Sequence, residues 1–442
     1  MRRHLFPVAL LFSALSLANA TAQTATPSPT QQTRPRIIGT PVQQQGTAPA
    51  TAPTPKSVDA TQLPAANPPS STGVSQRPVP PASSTLPPSG ASQQQQQTLP
   101  ATSLAVSKIR ARIQEAERIF RTRPQPTSLS ETSLSFVTLA ALDPSTSQIH
   151  LITLPKDLFL SRGATANVTT QLGANVSLRV VRPNGVNTAV TIFETTTNRS
   201  FVPLLVEYPI ERNGYLREMA YYTSAHPALL SADVVNAGKS YVHTMLELAA
   251  KRLRDKGIFI SPQILDVAER LLIVEHVDHT RFLRENRLAL YEEIFSLYAL
   301  NELNTYRYSV SIAGAGGMVQ MIPSTYQMIR RLHPGAGLNP DFVLGMRNHG
   351  NALEAMLLYM YDVWNTLNSD PDVTFALGAK WATVADLMAA GYNSNPARLP
   401  LYIRRAGASW RTLIPAETQM YLQIYRSVES FIPMKSRSGQ AQ

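Results

Sequence analysis

Two stretches decide the fold of this chain: LYEEIFSLYALNE at residues 290–302 and SIAGAGGMVQMIP at residues 311–323. In the first, Ile294, Tyr298 and Glu302 are four residues apart, a spacing that puts them on one face of a helix. The pattern predicts a helix near 280–301, with Glu302 at the end of an apolar stripe. Partial burial there would favour the protonated acid, and a carboxylic acid in that state can protonate a leaving oxygen.

The second stretch has the composition of a ligand-contacting loop. Glycines such as Gly314 let the backbone approach a ligand closely, and Gln320 offers both a donor and an acceptor. Met318 and Met321 would supply a soft apolar wall. The two stretches together therefore predict an acid next to a binding groove.

The order and spacing of these residues resemble the soluble lytic transglycosylase family, which shares the goose-type lysozyme fold. That family's signature is a catalytic Glu, then Ser at nine, Gly-Ala at twelve and thirteen, and Gly-Leu-Met-Gln at fifteen to eighteen residues on. At those offsets this chain carries Glu302, Ser311, Gly314, Ala315, Gly317, Met318, Val319 and Gln320, followed by a matching Pro323 and Thr325. A second motif, AAGYNSNP at 389–396, resembles the family's Ala-Tyr-Asn-Ala-Gly-Pro. The resemblance covers roughly residues 278–428.

The resemblance implies a peptidoglycan lytic transglycosylase that needs no metal and no cofactor. Glu302 would act as the single acid and base. It would first protonate the oxygen between N-acetylmuramic acid and N-acetylglucosamine, and then deprotonate the muramic 6-hydroxyl, leaving a 1,6-anhydro end. The implied substrate-binding residues are Ser311, Gly314, Met318, Gln320, Tyr392 and Asn393. The chain departs from the family at Leu303, Arg307 and Asn395, where Ser, Pro and Gly are usual.

The distribution of acids bears on the mechanism. A standard glycosidase uses two carboxylates that flank the scissile bond. Between Leu303 and Pro340 there is no Asp or Glu, and Asp341 is the next acid. This favours the single-carboxylate route. A hydrolytic muramidase with a base from elsewhere in the chain, and a catalytically weak peptidoglycan-binding scaffold, remain as alternatives.

The segments upstream of these motifs predict export and a tether. Residues 1–20 have a basic start, an apolar run and an Ala-Asn-Ala end, as in a secretory signal peptide. Residues 21–102 are rich in Pro, Gln, Ser and Thr and are expected to form a disordered linker. A basic amphipathic helix is predicted over 103–125, either binding a surface or packing on the next domain. We expect a periplasmic or secreted protein.

The remaining pattern divides the chain into a β-rich and a helical region. Residues 130–225 alternate with period two and predict a small β-rich domain, a sandwich or a barrel. Six strands are predicted: 136–142, 149–154, 167–172, 176–181, 188–193 and 201–208. From residue 226 the period becomes 3.6, predicting an all-α lysozyme-like domain over 226–434 and a disordered tail over 435–442. The β-rich domain is the part expected to dock an envelope protein.

Composition excludes several classes of protein. The chain of 442 residues contains no cysteine, which rules out a disulfide scaffold, a thiol nucleophile and a zinc ribbon. Its net charge of +11 suits an anionic polymer, but no nucleic-acid motif appears. The run Glu275-His276-Val277-Asp278-His279 contains potential metal ligands, but no further cluster completes a site, so no metal is predicted. No apolar run is long enough to predict a membrane span after removal of the signal.

Overall fold

The structure is a computed structural model that describes residues 105–123, 134–212, 215–303 and 314–437. The expected signal peptide, the whole of the expected linker, and Ser311 and Arg307 lie outside the described residues. The C-terminal boundary lies later than expected, because Ser436 and Arg437 both bond to Asp266, and Arg437 also pairs with Glu269.

The first described element is α1 (Val106–Thr122), inside the predicted range of 103–125. One face of α1 is apolar, and its buried residues are Ile109, Ile113, Ala116 and Phe120. These pack in a cluster with residues of the sheet and with Ala299 and Leu300 of the helical region. Of the two predicted roles, the structure shows α1 packed on the neighbouring region.

A curled antiparallel sheet follows. Its strands are β1 (Phe136–Asp143), β2 (Gln148–Pro155), β3 (Thr165–Thr169), β4 (Asn175–Arg182), β5 (Ala189–Glu194), β6 (Ser200–Arg212) and β7 (Tyr215–Tyr222), with the short helix α2 (Lys156–Phe159) after β2. The strand order is β2-β1-β6-β5-β4-β3, and β7 pairs with β6. The long strand β6 bonds to β5 at its start, then to β1, and then to β7.

This architecture refines the predicted sandwich or barrel. Strands β3 and β4 alternate in burial as predicted, whereas β1 is buried at every position after Phe136. Strand β7 was not predicted. Its sequence YLREMAYY mixes charged and apolar residues without clear alternation, and β7 is held at the sheet edge by β6 alone. An edge strand with one bonded neighbour needs no continuous apolar face.

The chain is helical after residue 226. The helices are α3 (Ala232–Asp255), α4 (Pro262–Val274), α5 (His279–Arg284), α6 (Arg287–Leu300), α7 (Pro323–Leu332), α8 (Phe342–Arg347), α9 (His349–Asn368), α10 (Pro371–Gly378), α11 (Val384–Asn393), α12 (Leu399–Ala406) and α13 (Ala416–Phe431). Serine side chains cap the first two of these helices, since the hydroxyls of Ser231 and Ser261 accept from the amides of Val234 and Ile264.

The predicted helix near 280–301 is two helices, because the side chain of Asn286 caps a fresh start at Arg287 by accepting from the amide of Ala289. Three short helices, α8, α10 and α12, were not predicted. Each has eight residues or fewer, too short for a 3.6-residue period to stand out.

The sheet and the helices share a hydrophobic core. One cluster of buried side chains extends from Val137 in β1 to Val428 in α13. Charged groups also cross between the regions, since Arg182 of β4 pairs with Glu293 of α6. Within the residues that the structure describes, no helix has the length and apolar character needed to cross a membrane.

The contact between α3 and α6 is unusually close at Gly238. A Cβ atom at that position would lie 2.0 Å from the carbonyl oxygen of Phe295, so only glycine lets the two backbones meet. This contact fixes α6, the helix that leads to Glu302, against α3.

We expect Gly238→Ala to lower the free energy of unfolding by about 1–3 kcal/mol, because the added methyl group must push two backbones apart. Gly378→Ala is the matched control, since Gly378 lies in a helix with nothing within 4 Å of the added atom. Urea denaturation of both variants checks this, and equal stabilities would contradict the close-contact explanation.

Candidate functional site

The site is organised around the end of α6. The helix stops at Leu300, and Asn301 forms its C-terminal cap. Glu302 therefore follows the helix instead of lying on its face, which corrects the predicted placement. The chain turns because Leu303 adopts a positive φ of 65°, which no α-helix residue has.

Asn301 ties this turn to the end of the sheet. Its side-chain oxygen accepts from the amide of Thr223 at 2.9 Å, and its side-chain nitrogen donates to the Thr223 carbonyl at 2.8 Å. Leu303 is held as well, since its amide donates to the Tyr241 hydroxyl at 2.6 Å. Sequence reasoning identified neither Asn301 nor Tyr241.

The Glu302 carboxylate forms an ion pair with Arg110 of α1. Arg110 also donates through Nε to the carbonyl oxygen of Ala299 at 3.0 Å. A guanidinium at a helix C-terminus is favoured by the unpaired carbonyls and the helix dipole. Because both partners are about one third exposed (34% and 31%), the pair contributes little to stability.

Glu302 lines a cavity of about 440 Å³. Its walls are the face of α1 from Arg110 to Arg121, strand β7, the end of α6, and Arg347. The predicted acid thus lies under α1, an arrangement that nothing in the sequence around Glu302 indicated.

Three of the predicted substrate-binding residues come together in a second cavity of about 320 Å³. Gln320, Tyr392 and Asn393 all line it, although the last two are far from Gln320 along the chain. The other lining residues are Glu275, Ala315, Met321, Ile322, Thr325, Tyr359, Ser394, Asn395 and Glu417. The part of the first motif around Gln320 therefore meets the second motif at one groove, and Glu302 does not line this groove.

The glycine-rich loop reaches this groove through left-handed backbone. Gly317 has a φ of 70°, and a Cβ there would lie 2.6 Å from the carbonyl oxygen of Met346. Gln320 also has a positive φ of 47°, and its side-chain amide donates to the Gly317 carbonyl at 2.9 Å. Gly314, with a φ of 78°, opens the described part of the loop near Pro323 and does not line the cavity.

The apolar wall differs from the prediction. Met318 is completely buried and cannot contact a ligand in the groove, whereas Met321 lines it. The carbonyl oxygen of Met318 accepts a hydrogen bond from His276 Nε2 at 3.0 Å and lies 3.4 Å from the Tyr298 hydroxyl. Tyr298 stands one helical turn before Glu302, so this loop is packed against the helix that carries the acid.

The second motif is held by hydrogen bonds within the protein. The Tyr392 hydroxyl donates to the carbonyl oxygen of Val319 at 2.6 Å, and burial raises the pKa of Tyr392 well above its usual value. The side-chain oxygen of Asn393 accepts from Thr418 at 2.9 Å. The Tyr392 hydroxyl is therefore bonded to the loop that carries Gln320.

Side chains of the run at 275–279 form hydrogen bonds within the protein. Glu275 accepts from the Tyr421 hydroxyl at 2.6 Å, His276 bonds to Met318, and Asp278 caps α5. In the described ranges, no group of three or more His, Asp or Glu side chains could hold a metal ion.

No family model, curated protein or solved structure matches this chain.

The pKa values of two buried histidines predict how the free energy of unfolding depends on pH. Burial lowers the pKa of His349, at the start of α9, to about 3, and that of His226, after the sheet, also to about 3. Between pH 6.5 and 3 the unfolded chain binds protons that these native imidazoles do not bind, so the free energy of unfolding falls as the pH falls.

We expect each histidine to contribute a slope approaching about 1.4 kcal/mol per pH unit below pH 6.5. Urea denaturation at pH 7, 6 and 5 measures this slope at pH values above those at which most carboxylates titrate. His226→Gln should remove one histidine's share, and a slope unchanged in that variant would contradict the assignment.

Proposed function

We propose that this protein is a peptidoglycan lytic transglycosylase of the periplasm or the secreted fraction, with Glu302 as its acid and base. The observation that carries the proposal is the meeting of Gln320 with Tyr392 and Asn393 in one groove. These residues belong to the two motifs that resemble the family, and they are far apart in sequence. The same resemblance extends the proposal to a lysozyme-like fold for the helical region.

The chemistry needs no second carboxylate. Glu302 donates its proton to the glycosidic oxygen as the bond from the muramic C1 breaks. It then takes the proton of the muramic 6-hydroxyl, whose oxygen forms the new bond to C1. Atoms balance without water, and the attack is intramolecular, which favours it through effective molarity.

The charge of the chain suits this substrate class. A net charge of +11 attracts the anionic wall polymer, while Tyr359 and Tyr392 give the groove aromatic surface for sugar rings. The amide groups of Gln320 and Asn393 supply donors and acceptors for N-acetyl groups.

Mass spectrometry of soluble products from purified peptidoglycan tests the proposal. We expect muropeptides that are one water lighter than reducing muropeptides, and a loss of at least about 100-fold in their release by Glu302→Gln. Glu292→Gln is the matched control, because Glu292 lies on α6, the helix that leads to Glu302, but lines neither cavity. Products that Glu302→Gln still forms at the normal rate would contradict the role of Glu302.

A hydrolytic muramidase is the second candidate, because two carboxylates other than Glu302, those of Glu275 and Glu417, line the groove. Glu275 is only 6% exposed and lies beside Gln320 and Tyr392 in the cavity wall. Reducing ends among the products would show that the protein is a hydrolase and would contradict the transglycosylase proposal. If Glu275→Gln then forms no reducing ends, Glu275 is the base.

The ion pair between Arg110 and Glu302 predicts a measurable restraint on activity. The ion pair holds the Glu302 carboxylate against α1, whereas the first step requires this group to reach the glycosidic oxygen. We expect Arg110→Ala to raise the rate by up to about fivefold, since a partly exposed pair is worth up to about 1 kcal/mol.

Arg112→Ala is the control for that variant, because Arg112 pairs with Glu115 on the same helix. A rate lowered by Arg110→Ala alone would show that Arg110 assists the reaction. A folded wild-type chain that binds peptidoglycan without cleaving it would favour the scaffold, in which Arg110 holds the carboxylate out of use.

A further inference from the structure

Leu303, the residue directly after Glu302, belongs to a closed ring of hydrogen bonds. Its amide donates to the Tyr241 hydroxyl at 2.6 Å, and that hydroxyl lies 2.7 Å from Nδ1 of His349. The ring closes because the backbone amide of His349 donates to the carbonyl oxygen of Leu303 at 3.2 Å. Three residues from α3, α9 and the turn after α6 thus hold one another.

The ring holds a strained backbone. A leucine at a φ of 65° occupies the left-handed region, which is unfavourable for a residue with a Cβ. The Leu303 side chain is 60% exposed, so side-chain burial does little to offset this strain. The two backbone hydrogen bonds of Leu303 are what stabilise it.

Both partners are neutral in the pH range of an assay. Burial raises the pKa of Tyr241 to about 12; its bond from Leu303 lowers that pKa, while the nearby charge of Glu302 adds to the rise. Burial lowers the pKa of His349 to about 3. A neutral imidazole can accept at Nδ1, so the hydroxyl can donate to His349 while it accepts from Leu303.

Glu302 therefore lies between two residues that are held by hydrogen bonds. On one side Asn301 is bonded to Thr223 at the end of the sheet. On the other side Leu303 is bonded to Tyr241 and His349. With both neighbours fixed, the backbone of Glu302 has little freedom to turn.

We propose that Tyr241 and His349 are positioning residues, which fix the direction of the Glu302 carboxylate through the backbone of Leu303. The proposal rests on the proposed function of Glu302. Neither residue touches substrate in this proposal, and neither transfers a proton. Their effect is geometric: a small displacement of a catalytic group can lower a rate by about 100-fold.

The main test is Tyr241→Phe, which removes one hydroxyl and keeps the ring. We expect the turnover rate on purified peptidoglycan to fall by about 10- to 100-fold, with the half-saturating peptidoglycan concentration unchanged within twofold. Tyr291→Phe is the matched control. It removes another buried hydroxyl, which donates to Ser427 at 2.8 Å away from both cavities, and it should leave both kinetic values unchanged.

Two variants of His349 separate positioning from packing. His349→Asn can keep an acceptor for the Tyr241 hydroxyl and should retain most of the turnover rate, whereas His349→Leu cannot and should lose it. Amide hydrogen exchange of Leu303 provides a readout that does not depend on activity. Exchange at this amide should be slow in the wild type and faster in Tyr241→Phe, but unchanged in Tyr291→Phe.

The outcomes distinguish this proposal from the proposed function. An active wild type whose Tyr241→Phe variant keeps its turnover rate would overturn the positioning role alone. A folded wild type that releases no anhydro product would overturn the proposed function and the positioning of a catalytic group with it. Equal losses of turnover rate in Tyr241→Phe and Tyr291→Phe would mean that the effect comes from a general loss of stability. That result would overturn the positioning role.

Discussion

The structure depends on a helix that ends inside the protein. From Ile294 to Leu300 every residue of α6 is buried, and the last carbonyl groups of a helix have no partners within it. Water cannot satisfy carbonyls that are covered on all sides, so side chains must do so. Asn301 donates to the carbonyl of Leu297 and Arg110 to that of Ala299.

This constraint draws distant parts of the chain to one place. The sheet contributes Thr223, α1 contributes Arg110, α3 contributes Tyr241, and α9 contributes the amide of His349. Each satisfies a polar group of the turn at residues 299–303. Glu302, which lies in that turn, is thus positioned by contacts that α6 alone cannot make. Helix α6 contacts both places, since Ala299 and Leu300 line the cavity under α1 and the Tyr298 hydroxyl approaches the Met318 carbonyl of the groove loop.

Local signals explain which elements could be predicted. Ser231 and Ser261 indicate the starts of α3 and α4, because a capping hydroxyl accepts from a backbone amide only three residues later. By contrast, β7 takes its conformation from its pairing with β6, and α8 and α10 are too short to display a period. The end of α6 was placed beyond its true position because the apolar spacing continues to Glu302, while the positive φ of Leu303 arises from its bonds to Tyr241 and His349.

The sequence by itself determined the order of a β-rich region and a helical region, the presence of α1, and the identity of the two motifs. It could do so because caps, hydrophobic periodicity and motif spacing act over a few residues. Only the tertiary structure decided that Gln320 meets Tyr392 and Asn393, that Met318 is buried, and that Arg110 faces Glu302. These contacts join residues far apart along the chain. They form because buried polar groups must find partners and packed helices leave few positions where those partners fit.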